Sequence, residues 1–231
     1  MGSQNPNFIL SPATTADIPH IIPVYLSAFS TDHFSQYTFP RDLITPSEWV
    51  RWLTSRYTNR FAQPELRHFK VTETATGNVC AFIRWRFPHQ FSEEEKLKKK
   101  EEKEEMERLK AEGKDDKWPV GANLEACDGK FGGLDKIQER FCTDDDYAVH
   151  QGYQGKGLGR MLLEYGLKLA DAEGKRAYIQ ATRAGYPVYA KLGFKEVDCL
   201  EVDLSKWGGK EPGVNWAMLR EPQKTIETPF Q

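Results

Sequence analysis

The sequence predicts a single α/β domain, on three observations. The chain has 231 residues, of which 39% are apolar, and this is enough to bury one sizeable core. Short runs with strand-like alternation recur along it, and segments with apolar residues at helical spacing separate them. We therefore expect one domain over residues 1–231, with a charged helical insert at about residues 91–117.

Composition and charge argue against several classes of protein. The chain has 32 lysine and arginine residues against 34 acidic residues, so no basic excess indicates nucleic-acid binding. The sequence shows neither the long apolar run of a membrane span nor the pattern of a secretory signal. Its four cysteines have neither paired spacing nor a metal-binding pattern. We expect a cytoplasmic protein with free thiols, no bound metal, and no nucleic-acid or membrane partner.

The amino-terminal part of the chain predicts one strand and two helices. Phe8 to Leu10 has the pattern of a strand, and Asp17 stands where an N-cap would precede an apolar helical face. Pro23 is expected to divide that first helix, because proline removes a backbone donor. A second helix is predicted over Pro46 to Phe61, with these residues on its buried face: Trp49, Trp52, Leu53 and Tyr57.

Two strands are predicted next, Leu66 to Thr72 and Val79 to Phe87, joined by a turn at Gly77 and Asn78. Alternation in the second strand places Phe82 and Arg84 on one face. Ile83 and Trp85 then lie on the other face. Two roles are open for Trp85 and Phe87, lining of the acceptor channel or core packing, and core packing is favoured.

The charged segment from Glu93 to Lys110 predicts an exposed helix. Acidic and basic residues stand four apart in it, which stabilises a helix by about 0.2–0.5 kcal/mol per pair. The pairs are Glu94 with Lys98, Glu95 with Lys99, and Glu104 with Arg108. A solvated insert is the favoured interpretation, and a partner-binding arm or a mobile lid is the alternative. From Gly121 to Phe141 a second helical repeat follows, interrupted by glycines.

The residues from His150 to Ala170 run from a short extended segment through a glycine-rich loop into an amphipathic helix. Gln154, Gly157 and Gly159 form a Q-x-x-G-x-G pattern, and Leu158, Leu162, Tyr165 and Leu169 form the apolar stripe of the helix. The N–H groups of a first helical turn have no intrahelical partner, so they favour a phosphate or pyrophosphate. A tight connection without a ligand is the alternative. The spacing fits neither the nucleotide-triphosphate loop nor the dinucleotide fingerprint.

These residues resemble the GNAT superfamily of acyl-CoA N-acyltransferases. The run QGKGLGR is similar to its pyrophosphate-binding motif A, and Tyr186 to Phe194, YPVYAKLGF, is similar to its motif B. Ala177 to Ala181 lies between them as the next strand. The whole chain is similar to fungal members with a long charged insert. The resemblance implies a GNAT-type α/β fold, whose mixed, mostly antiparallel central sheet is flanked by helices.

The resemblance also implies an activity and its site. It implies acetyl transfer from acetyl-CoA, a cosubstrate, to a primary amine of a small molecule or amino acid, by direct attack in a ternary complex. Tyr189 takes the place of the general acid, although a buried aromatic residue is the plain alternative. The backbone of Ala148 and Val149 would hold the pantetheine arm. The pyrophosphate would be bound by Gln154, Gly155, Lys156, Gly157, Leu158, Gly159 and Arg160. A homodimer is also implied as possible.

In the same family, the segment between the first two helices folds over the acceptor. Here that segment, Ser30 to Pro40, is rich in aromatic residues without a regular period. Two interpretations are open for Phe34, Tyr37 and Phe39: they line an acceptor pocket, or they pin the loop to the core.

The chain departs from the family at the central strand. Three aspartates, Asp144 to Asp146, come directly before Tyr147. A run of acids is costly inside a sheet, so the expected strand has only three residues, Tyr147 to Val149. Asp146 is the first candidate for the general base, before Asp145 and His150. The shortened strand motivates one alternative function, a CoA-binding protein with impaired or no catalysis. The charged insert motivates another, an interaction protein.

Overall fold

The computed structural model describes residues 6–113, 117–143, 147–152 and 158–223, with the backbone alone for 147–152. Its strands are β1 (Phe8–Pro12), β2 (Leu66–Glu73), β3 (Val79–Arg86), β4 (Tyr147–Gly152), β5 (Ala177–Ala181), β6 (Lys195–Val202) and β7 (Gly213–Arg220). They form one sheet in the order β1-β2-β3-β4-β5-β7-β6. Neighbouring strands are antiparallel except β4 and β5, which are parallel. The predicted mixed, mostly antiparallel sheet is confirmed.

The helices are α1 (Ile18–Ala28), α2 (His33–Thr38), α3 (Pro46–Phe61), α4 (Glu93–Ala111), α5 (Leu124–Cys127), α6 (Gly133–Phe141), α7 (Leu158–Ala172) and α8 (Tyr186–Lys191). The expected division of α1 at Pro23 is wrong, since α1 is continuous. Its buried residues Ile21 and Ile22 offset the hydrogen bond that the proline removes. A π-helical turn, Asp128–Gly132, joins α5 to α6, so the glycines do not interrupt the helical backbone. In the described part of the chain, no helix is long and apolar enough to cross a membrane.

The two faces of the sheet carry separate cores, as the alternation in β3 predicts. Ile83 and Trp85 are fully buried against the helix α7. Phe82 points to the opposite face and packs with Tyr57 of α3, their ring centroids 5.7 Å apart. Both tryptophans of α3 are buried in this second core, so their predicted structural role is confirmed. The sheet therefore lies between α7 and the α1–α3 layer.

The charged insert forms α4, which is exposed along its whole length. Ser92 and Glu95 form a capping box at its start. The predicted exposed helix is confirmed, although the charged residues use partners other than the three pairs named from the spacing: Glu95 serves the cap, and Lys99 reaches Glu65 outside the helix. The described pairs along α4 are instead Lys96 with Glu93, Lys98 with Glu102, Lys100 with Glu104, and Arg108 with Glu105.

The strand β4 is longer than its sequence suggests. We expected Tyr147 to Val149 alone, but β4 continues to Gly152 because β3 pairs with it over that whole distance, from Arg86 and Ala148 to Phe82 and Gly152. The pairing with β5 is shorter and ends at Val149 and Ile179. Beyond that pair the two parallel strands are no longer matched, which opens the sheet at this point.

Candidate active site

A cavity of about 740 Å³ lies beside the place where β4 and β5 separate. Gln180 and Thr182 line it, and they follow directly after Ile179, the last β5 residue that pairs with β4. Phe82 and Arg84 line it from β3, on the other side of β4. Further walls come from α3, the π-helical turn, α8 and β7. The volume suits a small-molecule substrate.

The position of α7 is fixed by close packing against β3. The helix buries Leu158 and Leu162, as predicted, together with Leu163 and Leu167. Tyr165 departs from the predicted stripe: it is 40% exposed, and its ring lies 4.8 Å from that of Phe69. These contacts hold the amino-terminal turn of α7, where free N–H groups and the helix dipole favour an anion.

The predicted pyrophosphate loop is described only in part. Gln154, Gly155, Lys156 and Gly157 lie outside the described residues. Leu158, Gly159 and Arg160 form the first turn of α7, in which Leu158 and Gly159 are buried. Arg160 is exposed, and its Nε donates a hydrogen bond to Glu164 Oε1 at 2.7 Å.

The predicted pantetheine and base residues lie around β4. Ala148 and Val149 occupy the last two pairs of the β4–β5 ladder, opposite Tyr178 and Ile179. Their backbone therefore stands next to the opening in the sheet. Asp145 and Asp146 lie outside the described residues, and the side chain of His150 is not described.

Tyr189 lies on α8 in the wall of the cavity and is 3% exposed. Its hydroxyl lies close to the backbone of Gly185, where a Cβ would fall 2.6 Å from Tyr189 Oη. Glycine at 185 therefore lets the tyrosine hold this orientation. Tyr186 differs, since its hydroxyl donates to Glu196 Oε2 at 3.1 Å on an exposed surface.

Of the three aromatic residues predicted either to line an acceptor pocket or to pin the loop, two line the cavity. Phe34 and Phe39 are buried and form part of its wall, so they serve both as lining and as core. Tyr37 is half-buried and packs edge-on against His33, with ring centroids 5.3 Å apart. It is absent from the described lining.

Sequence reasoning missed the buried pair of Lys130 and Asp32. Lys130 is 5% exposed, and its Nζ lies 3.4 Å from Asp32 Oδ2 and 3.1 Å from Ser35 Oγ. Burial lowers the pKa of Lys130, although the attraction of Asp32 opposes this shift. Burial alone would raise the pKa of Asp32, but Lys130 and the Ser35 hydrogen bonds hold it below its usual value. The available signal was a lysine that stands between Gly129 and Gly132, next to Phe131.

Sequence reasoning also missed the charge that three arginines bring to the cavity. Arg56 and Arg60 project from α3, and Arg84 projects from β3 beside Phe82. Arg84 is 7% exposed, and burial, followed by repulsion from Arg60 and Arg56, lowers its pKa. The signal was an arginine inside a strand whose neighbours are all apolar. Among the described residues, no group of three His, Cys, Asp or Glu side chains forms a metal site.

Residues 121–196 match the family of acetyltransferase (GNAT) domains, a range that spans both motifs of the sequence. This range is less than half of the chain, and over it the sequence is similar to the GNAT family. The matched range includes β5 and α8, which supply part of the cavity lining, together with β4 and α7. The walls from α3, β3 and β7, among others, lie outside it.

Solved structures show the same GNAT fold at low sequence identity. An acetyltransferase related to histone acetyltransferase HPA2 from Corynebacterium glutamicum is 18% identical, with a TM-score of 0.55, over 95% of this chain and 99% of that one. The ribosomal-protein-S18-alanine N-acetyltransferase of Escherichia coli is 14% identical, with a TM-score of 0.50, over 97% and 99%. The C-terminal condensation domain of Ebony, in complex with beta-alanyl-dopamine, is 9% identical, with a TM-score of 0.55, over 93% and 98%. No curated protein sequence matches the chain.

Proposed function

We propose that this GNAT domain transfers the acetyl group of acetyl-CoA to a primary amine of a small molecule or amino acid, by direct attack in a ternary complex. The observation that carries the proposal is the cavity of about 740 Å³ beside the β4–β5 opening, with Tyr189 in its wall. The GNAT match supports an acyl-CoA donor, and the cavity offers room for the acceptor.

Each group around the opening has a proposed part in the transfer. The amine nitrogen forms a bond to the thioester carbonyl carbon, and the bond from that carbon to sulfur breaks. Tyr189 donates its hydroxyl proton to the leaving sulfur, since an ordinary tyrosine is protonated near neutral pH. A backbone N–H near Val149 polarises the carbonyl. Asp146 takes the proton of the amine, directly or through water.

Two features support acetyl-CoA as the cosubstrate. The first turn of α7 presents the unpaired N–H groups that suit a pyrophosphate. The separation of β4 from β5 after Val149 and Ile179 offers backbone groups to an extended arm. The six-residue length of β4 also weakens the case for a protein without turnover, because that case rests on a three-residue strand.

The experiment is isothermal titration of the purified protein with acetyl-CoA, followed on the same sample by thiol release across a panel of amines. Micromolar binding together with amine-dependent thiol release supports the proposal. Binding without release, for every amine in the panel, points to a CoA-binding protein that does not catalyse transfer. No binding of acetyl-CoA contradicts the proposal altogether.

A further inference from the structure

The wall of the cavity carries more positive than negative charge. Among the described residues that line it, Asp32 is the one carboxylate, and it is already paired with Lys130. Arg183 has a carboxylate partner as well, since its Nη1 lies 3.0 Å from Glu211 Oε2 on the exposed rim. For three further lining cations the structure describes no ion pair: Arg56, Arg60 and Arg84.

Arg84 is the most deeply placed of these arginines. Its buried Nε has no hydrogen-bond partner among the described groups. Its neighbour on β2 is His68, which stays neutral because burial, followed by Arg84 and Arg60, lowers its pKa to about 3. A buried guanidinium without a counter-ion is costly, so an anion that enters the cavity offsets that cost.

Arg60 and Arg56 stand one turn apart on α3 and extend the same positive surface. Burial, followed by repulsion from Arg56, lowers the pKa of Arg60 to about 9. Arg56 is held over the rings of Trp52 and Trp118, at 5.2 and 5.8 Å from their centroids. Asp135 attracts Arg60 from a distance, but no ion pair between them is described, and burial raises the pKa of Asp135.

We propose that the acceptor amine also carries a carboxylate, and that Arg84 and Arg60 bind this carboxylate in the cavity. The inference rests on the proposed function, because it assigns the acceptor to the same cavity. A guanidinium presents paired donors that match the two oxygens of a carboxylate. The rest of the wall is rich in aromatic rings, which suits the apolar part of an amino acid: Tyr25, Phe29, Phe34, Phe39 and Phe82. A phosphorylated amine shares the oxyanion chemistry and is the second ligand class to test.

The test is a binding measurement that needs no turnover. The protein, saturated with CoA, is titrated with matched ligands that differ in the carboxylate alone: phenylalanine against phenethylamine, and tyrosine against tyramine. We expect the carboxylate member to bind at least about 10-fold more tightly, a difference of about 1.4 kcal/mol. Phosphoethanolamine is compared with ethanolamine in the same way, so that this pair differs in the phosphate group alone.

The variants Arg84→Met and Arg60→Met should each remove most of that discrimination while leaving acetyl-CoA affinity unchanged. Arg84→Met should fold with a melting temperature no lower than that of the wild type, because methionine replaces a buried cation, for which the described residues supply no ion pair, with an apolar chain. The matched control is Arg67→Met on the neighbouring strand, an exposed arginine packed over Phe87 and absent from the described lining.

Four results would overturn the inference. They are equal binding of both members of each pair, unchanged discrimination in Arg84→Met and Arg60→Met, a loss of acetyl-CoA affinity in these variants, and tighter binding of phosphoethanolamine than of any carboxylate. A clear fall in the melting temperature of Arg84→Met would reveal an internal counter-ion and count against it too. Carboxylate discrimination without thiol release would refute the proposed transfer but leave the carboxylate site in place.

Discussion

The indole ring of Trp85 lies directly against the backbone of Gly166, where a Cβ would fall 2.1 Å from Trp85 Cε2. Trp85 belongs to β3 and Gly166 to α7, so this contact sets the distance between the sheet and the helix whose first turn faces the proposed pyrophosphate. Both residues are buried, and neither side can move into solvent.

Gly166→Ala is therefore expected to destabilise the domain by about 1–3 kcal/mol, as overpacking of a well-filled core does. The measurement is urea unfolding, with a lower midpoint at an unchanged slope. The control is Gly132→Ala, because a Cβ at Gly132 meets nothing within 4 Å. In a double-mutant cycle, Gly166→Ala should destabilise the Trp85→Phe protein less than it destabilises the wild type. Strictly additive effects would show that the two residues do not press on each other.

Tyr189→Phe is expected to lower kcat by about 100-fold or more, because general acids typically contribute 10²–10⁴-fold. Acetyl-CoA affinity should stay the same, since the ring remains in the wall of the cavity. Steady-state thiol release and isothermal titration check the two quantities.

The matched control for Tyr189→Phe is Tyr186→Phe on the same helix, whose hydroxyl bonds Glu196 outside the cavity. It should keep the wild-type kcat. Wild-type turnover by Tyr189→Phe would mean that solvent or another group protonates the sulfur.

His68 is expected to make the domain less stable as the pH falls. It is 6% exposed and stacked on Phe61 at 3.9 Å, and burial is the main cause of its pKa of about 3. Between that value and the ordinary histidine pKa near 6.5, the unfolded chain binds a proton that the folded chain does not. The free energy of unfolding therefore loses nothing to His68 above about pH 6.5. Below that pH it falls by up to about 1.4 kcal/mol per pH unit.

The check is urea unfolding at pH 7.5, 6.0 and 5.0, for the wild type and for His68→Gln. The variant removes this titration but keeps the other histidines and the carboxyl groups, so its stability should depend less steeply on pH. Identical pH dependence in both proteins would show that His68 is protonated in the folded state too.

Lys99 is expected to be the residue of α4 that matters most for stability. Its Nζ lies 2.7 Å from Glu65 Oε1, and Glu65 is 8% exposed, with no hydrogen-bond partner for its other oxygen, Oε2, among the described residues. Lys99→Met leaves the buried carboxylate of Glu65 without its cation. It should lower the free energy of unfolding by about 1–2 kcal/mol, which is less than the loss of a fully buried partner would cost, because Lys99 itself is partly exposed. Lys96→Met, which breaks an exposed pair with Glu93, should cost less than about 0.5 kcal/mol by urea unfolding. Equal costs would show that α4 is not docked through Glu65.

Elements with a strong local pattern were predictable from the sequence. The helix α3 has the predicted bounds, because a Thr45 cap, a proline in the first turn and a continuous apolar face all act within the segment. The alternation in β3 likewise placed Phe82 and Trp85 on the correct faces.

Features that depend on distant partners were not predictable. The strand β4 reaches Gly152 because β3 supplies its hydrogen bonds, whereas the sequence indicated only a short extended segment at His150. The pair of Lys130 and Asp32 joins residues 98 positions apart, so no spacing rule connects them. The positive wall at Arg56, Arg60 and Arg84 forms only when α3 packs over β3.

The central claim is transfer of the acetyl group to an amine, and the most direct measurement follows that group itself. Acetyl-CoA labelled with ¹³C in the acetyl group is incubated with the protein and the amine panel, and the products are separated by mass. We expect a ¹³C-acetylated amide that forms in step with free CoA and falls strongly in Tyr189→Phe. Free CoA that appears with ¹³C-acetate and no amide would contradict the account, because water and not an amine would then be the acceptor.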